Sequence, residues 1–307
     1  MRRLGVIGVL VVLLLAPTGA GSAAATGHVR NGLIAFQSQA EDGTTQVFTV
    51  RSDGHGLRQV THGSAPATAP DWSPDGRWIA YASDECTIAL VRADGSRQRT
   101  LASQTPDGCE TDPAFTPDGR HLVFERYDAT TGDDAIWVMD LRGGDRRRIA
   151  TGPEGAATPE VSPDGRTLSF LSWLPDGRTA VFAAPMHGGG HVRQVTPALF
   201  GISYKHGWSP DGRRIVTSDN ADDPTQPANV VTIRADGSDL RYLTHLTSAD
   251  ERAVAGGYSP DGKWVVYRYE RGGGYALMVV RPDGHGAHAL PLTSLRPGFI
   301  DWGPAAR

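Results

Sequence analysis

Hydrophobic and polar positions alternate along this chain in short bursts, with no long run of helical period. The clearest burst is Trp78-Ile79-Ala80-Tyr81-Ala82-Ser83, with Trp78, Ala80 and Ala82 on one face of a strand and Ile79, Tyr81 and Ser83 on the other. Before it stands Ser73-Pro74-Asp75-Gly76-Arg77, a hairpin turn written residue by residue. Ser73 opens a type I turn, Pro74 sets the φ that follows, Asp75 caps it through its carboxylate, and Gly76 takes the left-handed position of a three-residue loop. A shorter strand ending on Trp72 leads in. The only helix start the pattern offers is Ser248-Ala249-Asp250-Glu251, a capping box for one or two turns.

This unit repeats. Its Ser or Thr falls at Ser73, Thr116, Ser162, Ser209 and Ser259, a period of about 40 to 50 residues, which is the spacing of propeller blades. A second turn follows each first one by about 20 residues and has six members: Asp53-Gly54, Asp94-Gly95, Gly143-Gly144, Gly188-Gly189, Asp236-Gly237 and Asp283-Gly284. The missing sixth copy of the first turn is divided between the chain ends. Phe299-Ile300-Asp301-Trp302 spells a lead-in strand without its sequel, and Asn31-Gly32-Leu33-Ile34-Ala35-Phe36 spells a lead-out strand without its opening. The expected fold is all-β: a six-bladed propeller of four-stranded antiparallel blades, closed by pairing of the C-terminal strand into the first blade, which removes two sheet edges.

Residues 1–25 carry Arg2 and Arg3, an apolar run from Leu4 to Leu15, and small residues through Ala25, the layout of a secretory signal with cleavage expected near Ala25. An uncleaved membrane anchor is the alternative, and would be the only membrane contact. Residues 26–307 would then form the propeller, at about 47 residues per blade. Without Arg2 and Arg3, 28 basic residues face 34 acidic ones, a net charge of −6. No basic stretch suggests nucleic acid, and only Lys205 and Lys263 are lysines. Cys86 and Cys109 fall on loops expected on the same face of neighbouring blades, where a disulfide is expected; two buried thiols are the alternative.

The Pro-x-aromatic-Ser-Pro-Asp-Gly-Arg repeat resembles the TolB-like propeller family over residues 31–304. The resemblance implies a six-bladed ring in the periplasm, the cell envelope or outside the cell. The same repeat occurs beside prolyl oligopeptidase-like peptidases, which need a Gly-x-Ser-x-Gly elbow absent from this sequence. It also occurs in some pectin-fragment lyases.

The turn aspartates Asp75, Asp118, Asp164, Asp211 and Asp261 are explained by their turns, and the aromatics Trp72, Phe115, Trp208, Tyr258 and Trp302 by packing between blades. His187-Gly188-Gly189-Gly190-His191 reads as a solvated turn, so no metal or cofactor is expected. The loops opposite the Pro-Asp-Gly turns carry the candidate ligand-binding residues Arg126, Tyr127, Trp173, Tyr204, Lys205, His206, Arg252, Arg268 and Tyr269. The expectation is a monomeric, non-catalytic scaffold holding a protein, peptide or glycan at the channel mouth. The alternative is a carbohydrate lyase or hydrolase on the same face, with His206, Lys205 and Arg126 as base and charge-stabilising groups.

Overall fold

The alternating bursts form strands, and the strands group in fours into blades. The computed structural model describes residues 29–306 apart from Glu85, residues 102–107, Gly189, residues 198–204, Asp222 and residues 293–294. The described strands build six four-stranded antiparallel sheets. Blade 1 is made from both ends of the chain: Gly298–Pro304 is its inner strand, followed by Asn31–Gln39, Thr45–Val50 and Arg58–Gln59. Ile34 lies opposite Trp302 and Ala35 opposite Asp301, so ring closure follows the divided repeat seen in the sequence.

The Pro-Asp-Gly turns carry one refinement of the sequence reading. The Ser73 amide donates to the Trp78 carbonyl at 2.9 Å, so four residues, not three, lie between the paired positions. The return bond is made by a side chain, with the Trp78 amide donating to Ser73 Oγ at 2.9 Å. The same hydroxyl donates to Asp75 Oδ1 at 2.6 Å, and that oxygen accepts the Arg77 amide at 3.0 Å. Gly76 stands at φ 68°, where a Cβ would meet the Pro304 carbonyl. Thr116–Asp118, Ser162–Asp164, Ser209–Asp211 and Ser259–Asp261 repeat the hydroxyl–carboxylate bond.

The core consists of six seams between blades. Trp72 packs back on Ala35 and Val47 of blade 1, and Phe115 on Ile88 and Leu90 of blade 2. Trp208 packs on Leu171 and Val181 of blade 4, Tyr258 on Val216 and Val230 of blade 5, and Trp302 on Val266 and Leu277 of blade 6. Each such aromatic contributes about 2–3 kcal/mol by burial. Blade 4 presents Val161 instead, against Val123 and Ile136.

The Cys86–Cys109 disulfide is formed and ties blade 2 to blade 3. Closing a loop of that 23-residue separation stabilises the fold by about 3 kcal/mol. The expected helix at Ser248-Ala249-Asp250-Glu251 is absent. Glu251 opens the strand Glu251–Tyr258, pairs with Arg271, and accepts the Tyr269 hydroxyl at 2.7 Å, so the ladder outcompetes the capping box. Residues 1–25, the expected signal, lie outside the described residues.

Candidate functional site

The inner strands do more than close the ring, because four of them are bulged at the same place. Ala69, Asp112, Thr158 and Phe299 have left-handed φ values of 49°, 46°, 43° and 43°. The pairing register slips at each of these points. A bulge re-aims side chains, and here it gives the axial channel two tiers. The bulge residues Ala69, Asp112, Thr158 and Phe299, together with Lys205, line one small gap. Two residues further along each strand, Asp71, Glu160, Gly207, Gly257 and Asp301 line a cavity of about 250 Å³. That cavity reaches the Pro-Asp-Gly side, where Pro163, Pro210, Pro260 and Pro304 border it. It exists because blades 5 and 6 place Gly207 and Gly257 where blades 1, 2 and 4 place carboxylates.

Lys205 connects the tiers. It belongs to blade 5, yet its Nζ lies 3.2 Å from Asp71 Oδ1 of blade 2, across the ring. The same nitrogen is 3.5 Å from Glu160 Oε1, 3.9 Å from Asp301 Oδ1 and 3.3 Å from the Pro70 carbonyl it donates to. Two of the carboxylates also stitch neighbouring blades: Asp301 Oδ2 accepts the Trp72 amide and Asp71 Oδ2 the Phe115 amide, both at 2.8 Å.

One ammonium shared among three largely buried carboxyls favours the neutral form of some of them. Burial, reinforced by the Asp301 charge and opposed by Lys205, pushes Asp71 up to about 7. Burial likewise pushes Glu160 up to about 8, with Lys205 opposing and Asp71 and Asp301 adding to the rise. Burial alone would lower the Lys205 ammonium, but Asp301, Glu160 and Asp71 outweigh it and hold the charge on. Beside this group Asp112 is raised by burial to about 6, and shares a hydrogen bond with Glu125. Glu125 is pushed up to about 9 by burial and by the charges of Asp112 and Asp134, and its Oε2 accepts the Thr158 amide of blade 4 at 3.4 Å. Asp134 rises to about 6, through burial and then its acidic neighbours.

The nine residues read from the sequence are dispersed. His206 is fully buried, with Nε2 2.8 Å from Ser169 Oγ, and burial plus the Lys205 charge depresses it to about 3. It is a neutral ring sealed between blades 4 and 5. Arg126 lies 4.7 Å over the Trp137 ring with its side chain nearly covered. Arg252 donates to the carbonyls of Asn220, Ala221 and Asp223, organising the loop after blade 5's second strand. Arg268 donates to the Pro297 carbonyl at 3.4 Å, and Tyr269 is held by Glu251. Tyr127 and Trp173 are exposed where the second strands of blades 3 and 4 run out into the loop face. Tyr204 lies outside the described residues. The sequence reading missed Asp71, Glu160 and Asp301. Their signal was the position before the last inner-strand residue of each repeat (an aromatic in five copies, Val161 in the other), which is acidic in three copies and Ala or Gly in the others.

Three comparisons place this architecture among known proteins. The chain is 22% identical to TolB from Acinetobacter baumannii with a TM-score of 0.71, covering 89% of this chain and 66% of that one. It is 27% identical to the uncharacterised protein Atu1656 of Agrobacterium fabrum, over 68% of this chain and 66% of the relative. It is also 24% identical to dipeptidyl-peptidase 5 of Porphyromonas gingivalis, over 86% of this chain but only 40% of that protein. The chain thus spans less than two thirds of these curated relatives. A family model described as the TolB beta propeller domain matches residues 34–306. The chain therefore belongs to the TolB β-propeller domain family.

Proposed function

We propose that this protein is an exported, non-catalytic binding propeller that holds a protein or peptide partner on the face opposite the Pro-Asp-Gly turns. The observation that carries the reading is the placement of Tyr127 and Trp173. They are large side chains left 43% and 37% exposed at equivalent points of two adjacent blades. Exposed aromatics on a rigid scaffold are how interfaces are anchored. Family membership supports a binding and scaffold role, and the disulfide supports an oxidising compartment.

Lys205 and His206, the bases that the sequence offered for a catalytic reading, do not suit that role. A general base needs a free lone pair near the working pH. Lys205 is held as ammonium by its carboxylates, and His206 is neutral but sealed from solvent.

The test is capture of native partners from the cell envelope by the wild type and by a Tyr127→Ala/Trp173→Ala variant. The variant is expected to lose its partner while keeping its melting temperature, since neither side chain is buried. A control variant replaces Asp53, Asp94 and Asp236 on the opposite face with alanine and is expected to retain the partner. Retention by the first variant and loss by the second would put the site on the Pro-Asp-Gly face.

A further inference from the structure

Lys205 is one of only two lysines in a chain otherwise supplied with arginine, and it occupies the axis of the ring. Lys263, by contrast, sits on a Pro-Asp-Gly turn with its side chain 76% exposed, while that of Lys205 is 11% exposed. A compact ammonium can direct its three donors to different carboxyls, whereas a planar guanidinium prefers one in a bidentate pair. Its partners here come from opposite sides of the ring: Asp71 and the Pro70 carbonyl from blade 2, Glu160 from blade 4, Asp301 from blade 1. The side chain also borders both spaces in the channel, the small gap beside Asp112 and the 250 Å³ cavity beside Gly207 and Gly257.

We propose that Lys205 is an electrostatic latch that closes the axial channel between its two chambers, and that the protonation state of Asp71 and Glu160 sets how firmly it closes. The charged groups facing the latch are Asp71, Asp112, Glu160 and Asp301, each from a different blade, with Glu125 and Asp134 behind Asp112. Blade 6 contributes Gly256 and Gly257, which carry no charge, and the latch's own strand contributes neutral His206.

When Asp71 and Glu160 carry protons, their contacts with the ammonium are hydrogen bonds to neutral carboxyls. When both protons leave, two further negative charges bear on the same ammonium. The latch is then gripped harder, while the channel as a whole carries surplus charge. The raised values of Asp71 and Glu160 place this change between about pH 6 and pH 9. Lys205 opposes the rise of both carboxyls, so removing it at high pH forces them to take up protons or stay buried as unpaired charge, whereas at low pH they are already neutral and the cost is mild.

Two measurements test the latch. A Lys205→Met variant keeps the stem and drops the charge; its melting temperature should fall by about 10 °C relative to wild type at pH 8 and by about 3 °C at pH 5.5. An equal loss at both pH values would reduce Lys205 to packing and overturn the proposal. Should that variant fail to fold, reductive methylation of the wild type with formaldehyde and a borohydride-type hydride donor at pH 8 is read by mass spectrometry. Lys205 should react at least about tenfold more slowly than Lys263, and an Asp71→Asn/Glu160→Gln variant should shrink that gap. Equal labelling of the two lysines in the wild type, or an unchanged gap in the variant, would show that the carboxyls do not hold the latch.

Discussion

The aspartates of the Pro-Asp-Gly turns and the carboxyls of the channel are the same functional group used in opposite ways. Asp164 sits on the surface with its charge satisfied locally. The Ser162 hydroxyl and the Arg166 amide hold it below the usual carboxylate range. Asp71 lies opposite Ala80 of the neighbouring strand, deep in the ring, and burial raises it toward neutrality. The difference is where the repeat puts the side chain. A turn carboxylate finds its donors within two residues, so it works in any copy. A channel carboxyl finds its partners one, two or three blades away, so it works only in the assembled ring.

Removing residues 297–307 is the severest way to separate the two. It leaves every Pro-Asp-Gly turn in the chain but deletes Asp301 from the channel, Trp302 from the blade 6 seam and the inner strand of blade 1. An unpaired blade in an open ring should aggregate or lose most of its cooperative melting, as read by calorimetry and light scattering. Melting like the full chain would mean that closure contributes little and that the channel groups are not held by the ring.

A far smaller effect is expected at a turn. Ser162→Ala removes the hydroxyl that accepts the Thr167 amide at 2.9 Å and donates to Asp164. The loss should be about 1 kcal/mol in a denaturant titration, with no change in how stability varies above pH 6. A variant that altered that alkaline dependence would tie the turns to the channel and blur the distinction.

The fold was legible because its information is local. Ser, Pro, Asp and Gly each have a stated job within five residues, and the period of the repeat gives the blade count. Ring closure followed from two half-copies at the chain ends. The channel was not legible in the same way. Lys205 and His206 read as polar residues of a loop mouth, yet one braces the axis and the other is sealed between blades. Nothing within a few residues of Lys205 announces Asp71 or Asp301, which lie 134 and 96 positions away in the chain. Arg252 and Arg268 read as surface charges and serve backbone carbonyls. Among the described members of the predicted set, Tyr127 and Trp173 are the ones left exposed.

The two classes of carboxyl also give stability opposite dependences on pH. Turn aspartates such as Asp164 and Asp94, lowered in the folded state, stabilise it above the unfolded carboxylate range near pH 4, and that contribution is lost as pH falls below it. Asp71 and Glu160 are raised, so their contribution is complete below about pH 4 and is lost as pH climbs toward 7 and 8. The most direct test is to follow the side-chain carboxyl carbons of aspartate and glutamate by ¹³C NMR through a pH titration, assigning Asp71 and Glu160 with Asp71→Asn and Glu160→Gln variants. Asp71 and Glu160 are expected to titrate between about pH 6 and pH 9, while Asp164 titrates below pH 4. Titration of all three together below about pH 5 would contradict the account, because it would mean that burial does not raise the channel carboxyls and that Lys205 faces ordinary carboxylates.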